Sequence, residues 1–161
     1  MKEKIIAMLR TNARLSAAEI AENINASEAE VAEAVRQMES AGVIRGYAAI
    51  VTDEAPGSES RVKALIEVKV TPSRDGGFDR VARRIAKFPE VTDLCLLSGG
   101  YDLQLTVEGN SLQQVANFVS GKLATIEGVI STTTAFQLKK YKESGMIMQS
   151  DEEYERLKIC F

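Results

Sequence analysis

Two capping boxes set eleven residues apart, Ser16-Ala17-Ala18-Glu19 and Ser27-Glu28-Ala29-Glu30, constrain the fold of this 161-residue chain more than any other feature. Each puts a hydroxyl at a helix N-cap and a carboxylate three residues later, so the orphan N–H groups of the first turn are met from both directions. Two helix starts this close leave room for one short helix and a tight turn. Asn25 falls in that turn, and asparagine is one of the few residues that tolerates the left-handed conformation a helix-turn-helix corner requires. Ile20, Ile24, Ala26, Val31 and Ala34 take the interior positions of such a motif, and Ala21 is small enough to let the two helices approach. Ahead of them, Ile5, Ile6, Met8 and Leu9 space a first helix over 2–10, ended by the polar break Thr11-Asn12-Ala13-Arg14. Gly42 is the expected C-terminal cap of the third helix.

A helix-turn-helix suggests double-stranded DNA, with Arg14, Ser16, Ser27, Arg36 and Arg45 as the candidate contacts. The third helix complicates that reading. It carries Glu28, Glu30, Glu33 and Glu39 against the single cation Arg36, whereas affinity for DNA comes largely from Lys and Arg neutralising phosphates. Two alternatives therefore stand at this point: a DNA-binding unit, and a degenerate scaffold that meets protein partners instead.

Residues 43–51 have the β-branched and aromatic content of an extended strand. The stretch Thr52-Asp53-Glu54-Ala55-Pro56-Gly57-Ser58-Glu59-Ser60 then marks a domain boundary. The expected organisation is a helix-turn-helix domain at 1–46, an extended arm at 47–60, a second domain at 61–142 and a tail at 143–161. Within the second domain Val62, Ala64, Ile66, Val68 and Val70 alternate with charged residues as a strand does. Phe78, Val81, Ala82 and Ile85 recur at helical spacing, with Arg80, Arg83, Arg84 and Lys87 on the opposite, solvated face. Two apolar runs, 91–97 and 103–107, flank Ser98-Gly99-Gly100-Tyr101-Asp102. A helix follows with Leu112, Val115, Ala116, Val119 and Leu123 inward, and a last strand over 129–139 holds Thr132, Thr133 and Thr134. The order βαββαβ makes an α+β chain whose second domain is a ferredoxin-like antiparallel sheet with both helices on one face. Its open face calls for a second copy, and a homodimer is expected.

Composition removes several functions. There is no histidine, so Ser-His-Asp and Cys-His catalysis and the commonest metal ligand are absent. No enzyme, cofactor or metal site is expected. A net charge of −3 gives no broad basic field. No apolar run has the length of a membrane span, no signal peptide is recognisable, and Cys95 and Cys160 form no paired motif; a cytoplasmic, reduced chain is expected.

The order of parts resembles the Lrp/AsnC (feast/famine) family of transcription regulators. Four separated segments carry the resemblance: Asn12-Ala13-Arg14-Leu15-Ser16, Gly42-Val43-Ile44-Arg45-Gly46-Tyr47, Gly99-Gly100-Tyr101-Asp102, and Phe136-Gln137-Leu138-Lys139-Lys140-Tyr141-Lys142. The resemblance implies a regulator whose second domain dimerises and often builds octamers, with a small molecule, usually an amino acid, bound between subunits. By position it implies Gly99, Gly100, Tyr101, Asp102, Thr132 and Thr134 as effector-binding residues. Asp102 is then an acceptor for an ammonium group, and Asp102→Ala is expected to abolish the response without harming the fold.

Overall fold

The computed structural model describes residues 1–52, 61–72, 74 and 76–149. Most of the expected linker, including Pro56 and Gly57, and the end of the expected tail, including Cys160, lie outside them. The chain divides into two compact units, Met1–Ile50 and a second from Val51 onward.

The first unit holds helices α1 (Lys2–Thr11), α2 (Ala17–Ile24) and α3 (Glu28–Ser40). Both capping boxes form in full. The Ser16 and Ser27 hydroxyls accept the N–H of Glu19 and Glu30, whose side chains reach back to the serine N–H at 2.7 and 2.9 Å. Asn25 ends α2 at φ 57, ψ 50, the left-handed corner expected of it. Gly42, at φ 67, closes α3. Its N–H bonds to the Glu39 carbonyl and that of Val43 to the Met38 carbonyl, the paired bonds of a Schellman motif. Ile5, Ile20, Ala21, Val31, Ala34 and Met38 form the buried core.

The expected strand over 43–51 does not form. Residues 45–52 take no regular structure, and Val43, Tyr47, Ile50 and Val51 are exposed. A strand needs a neighbour for its N–H and C=O groups, and among the described residues none is offered to this segment. Its start is held by the Val43 and Ile44 N–H groups on the Met38 carbonyl, and farther on the Tyr47 hydroxyl donates to Glu39 Oε1 at 2.9 Å.

The second unit holds β1 (Val62–Val70), α4 (Asp79–Ile85), β2 (Val91–Leu96), β3 (Leu103–Gly109), α5 (Leu112–Phe118) and β4 (Val129–Phe136), in an antiparallel sheet of order β2-β3-β1-β4. Ala64, Ile66, Val68 and Val70 from β1 and Leu103, Leu105 and Val107 from β3 pack with Val81, Ile85, Val115, Phe118 and Leu123 beneath the helices. The basic face of α4 is solvated.

One helix differs from its expected face. Leu112 and Ala116 are exposed, while Phe118 and Leu123 are buried. Val115 and Phe118, three residues apart, carry the buried face of α5, and a π-helical turn at Val119–Leu123 places the next buried position, Leu123, five residues beyond Phe118. Beyond the sheet, across the expected border at 142 between second domain and tail, β5 (Lys142–Glu143) and β6 (Met146–Ile147) form a small hairpin. Ser144 and Gly145 turn it, both at positive φ, as a type I′ turn requires.

Candidate functional site

Residues 97–102 join β2 to β3, and their anchorage explains the place of Asp102. The last β1–β3 pair is Val68 with Leu103, so the Val70 N–H lies past the ladder and needs another acceptor. Asp102 Oδ2 accepts it at 2.8 Å. The Asp102 N–H donates to the Val68 carbonyl at 3.1 Å, and its carbonyl accepts from Leu97 at 2.8 Å. Lys69 Nζ reaches Asp102 Oδ1 at 3.4 Å and the Gly100 carbonyl at 3.1 Å. The carboxylate side chain is only 15% exposed. Asp102 is therefore the fastening of the loop to β1, in addition to being a candidate effector group.

The glycines stand differently from what a tight reversal suggests. Neither Gly99 nor Gly100 adopts a left-handed φ, and a Cβ built on either meets no atom within 4 Å. Within one chain, then, nothing requires glycine there. The bare backbone faces outward.

Tyr101 lies across the open face. Its hydroxyl meets Thr133 Oγ1 at 2.6 Å, so it reaches from the β3 side of the sheet over β1 to β4. The register assigns the threonines to faces. Thr132 pairs with Val68 and Thr134 with Ile66, whereas Thr133 pairs with Glu67. Directly opposed residues share a face. Thr132 and Thr134 are thus half-buried on the helix-covered side, away from Tyr101, and Thr133 is the exposed hydroxyl that meets it. The sequence shows that 132 and 134 share a parity, but only the β1–β4 register says which parity is covered. The structure thereby brings Gly99, Gly100, Tyr101 and Asp102 together, adds Lys69 and Thr133, and leaves Thr132 and Thr134 on the other face.

In the first unit Arg14, Ser16, Ser27, Arg36 and Arg45 are all exposed. The two serine hydroxyls are engaged in the capping boxes, donating to Glu19 and Glu30 at 2.7 Å. These bonds, from the serine backbone N–H first and the hydroxyl second, hold both carboxyls below the ordinary glutamate range. Arg45 folds over Gly42, where a Cβ would come within 3.1 Å of its guanidinium carbon. Three of the four glutamates of α3 are engaged within the chain. Glu30 closes its capping box, Glu33 accepts from Arg36 and Gln37, and Glu39 accepts from Tyr47.

Residues 1–45 match the family model for a winged helix-turn-helix DNA-binding domain, and residues 63–147 match that of the Lrp/AsnC ligand binding domain. The chain belongs to the Lrp/AsnC family. As an Lrp/AsnC protein it is a DNA-binding transcription regulator with a ligand-binding domain, not an enzyme. It is 40% identical over 156 residues to the uncharacterized HTH-type transcriptional regulator YugG of Bacillus subtilis, covering 97% of this chain and 94% of that one. Among solved structures it resembles the transcriptional regulator NMB0573 from Neisseria meningitidis in complex with L-Met, with a TM-score of 0.66, 28% identity, and coverage of 88% and 90% of the two chains. The leucine response regulatory protein LrpA of Mycobacterium tuberculosis shares the fold, with a TM-score of 0.73 at 21% identity, covering 92% and 97%. Among the described residues no helix is long and apolar enough to cross a membrane.

Proposed function

We propose that this regulator senses a free amino acid at the loop 97–102, and that occupancy changes its hold on DNA in the cytoplasm. The supporting observation is the outward-facing backbone of Gly99 and Gly100, open to 4 Å, beside the Tyr101–Thr133 hydroxyl pair and the partly exposed ammonium of Lys69. An α-amino acid needs donors for its carboxylate and acceptors for its ammonium. The backbone N–H groups of the glycines and Lys69 serve the first, and the hydroxyls and the loop carbonyls serve the second. The methionine held by the Neisseria relative is of the same chemical class.

The loop is open on one side, and a second copy completes it. The sheet's open face exposes Leu65 and Leu97, which favours a homodimer, with larger symmetric assemblies built from it. Ligand binding then acts by preferring one arrangement of subunits over another. A thermal-shift screen of the twenty amino acids, paired with light scattering, tests the reading. The expected result is stabilisation by one or a few amino acids, growing with ligand as RT ln(1 + [L]/Kd), in a protein that is at least dimeric. A monomer at micromolar concentration that responds to none of them would refute it.

A further inference from the structure

On α3 the buried residues are Val31, Ala34 and Met38. At about 100° per residue, the line diametrically opposite runs through Ala29, Glu33, Arg36 and Ser40, all of them exposed. A helix-turn-helix turns this side of its second helix toward base edges in the major groove. Arg36 is the only cation on that line, and its guanidinium is already oriented. Nε and Nη2 both donate to Glu33 Oε2, at 3.2 and 2.8 Å. The carboxylate is held in turn on its other oxygen, which accepts from Gln37 Nε2 at 3.1 Å. An exposed ion pair spaced three residues apart contributes little to helix stability, so stability gives little reason for fixing both carboxylate oxygens.

Resting on the DNA-binding role, we propose that Arg36 reads a guanine and that Glu33 is the positioning residue that aims it. With one edge of the guanidinium on Glu33, the remaining N–H groups of Nη1 and Nη2 form a pair of parallel donors at the end of the side chain. That pair matches O6 and N7 of guanine in the major groove. Ala29, about two turns from Arg36 toward the N-terminus on the same line, has only a methyl side chain, too short to hold the helix off. Glu33 is neutralised by the arginine it holds, so its charge orients the reader instead of repelling phosphate. Ordering the arginine in advance lowers the conformational cost of the contact.

The test uses the full-length chain, selection from a random duplex library, and fluorescence anisotropy on the selected duplex and its single-base substitutions. The expected outcome is a guanine at a fixed position whose replacement weakens binding about tenfold or more. Arg36→Ala removes the preference at that position alone, while Arg36→Lys, which lacks the rigid pair of donors, weakens it and keeps the salt-dependent affinity. Glu33→Ala weakens discrimination at the same position severalfold, and Glu33→Gln, which still accepts a hydrogen bond, restores part of it. Circular dichroism checks that each variant is folded. If Glu33→Ala instead raises affinity for every sequence alike with the guanine preference intact, or if Arg36→Ala keeps that preference, the assignment is wrong. Selected sites without an Arg36-dependent guanine would also overturn it while leaving DNA binding standing. No enrichment and no binding at low salt would remove the DNA-binding role itself.

Discussion

Replacing Asp102 with alanine separates a structural fastening from a free ligand group. The Val70 N–H loses its acceptor at 2.8 Å in a partly buried position. An amide stranded in this way costs about 1–3 kcal/mol. The Lys69 contact, at 3.4 Å and with the lysine side chain 41% exposed, adds no more than about 1 kcal/mol after solvent screening. A loss of about 2–3 kcal/mol is expected for Asp102→Ala. Asp102→Asn keeps an acceptor oxygen and is expected to lose about 1 kcal/mol. Urea denaturation followed by circular dichroism gives the totals, and amide hydrogen exchange gives the location. At the Val70 amide, 2 kcal/mol corresponds to roughly thirtyfold faster exchange, while amides of α2 and α3 should not change. A variant within about 0.5 kcal/mol of the parent, with Val70 exchange unaltered, would refute the fastening and return Asp102 to the role of a free acceptor.

Ser27→Ala removes the α3 capping box and should cost about 1 kcal/mol in the stability of the first unit, measured by denaturant titration. Glu19 and Glu30 titrate below the ordinary value of 4.5 in the folded chain. Their stabilisation is therefore complete above that value and lost as pH falls through the lowered folded pKa values. Acid titration of the first unit's helicity should show a loss in that window, and Glu19→Gln with Glu30→Gln should flatten it. Gly128 sits at φ 97, with a built Cβ only 3.1 Å from Val81 Cγ2. Gly128→Ala should lower stability by more than about 1 kcal/mol, whereas a change of a few tenths would mean that the turn relaxes freely.

What the sequence disclosed followed local chemistry. The capping boxes, Asn25 and Gly42 each solve a backbone problem within a few residues, so their roles could be read before any tertiary contact was known. The alternation of β1 likewise announced its buried face. The parts that local chemistry leaves open depend on partners distant in sequence. Whether Thr132 or Thr133 faces the open side is decided by register with Glu67 and Val68, not by anything in β4 itself. The commitment of Asp102 to Val70 depends on where the β1–β3 ladder ends. The arm at 43–51 has strand composition but no neighbouring strand in the described residues. The π-helical turn at 119–123 sets Leu123 five residues beyond Phe118, with no local residue to signal it.

The most direct measurement is DNA affinity with and without each amino acid, on the parent and on Gly100→Val, using the duplex the parent selects. A Cβ at residue 100 meets nothing within 4 Å in the single chain, and circular dichroism and light scattering check that this variant folds and assembles as the parent does. At least one amino acid should change the parent's affinity by about 5- to 150-fold, the usual span of allosteric coupling, and Gly100→Val should bind the duplex but no longer respond. An equal response in both proteins would contradict the placement of the site at the loop, and no response in the parent would contradict amino-acid sensing altogether.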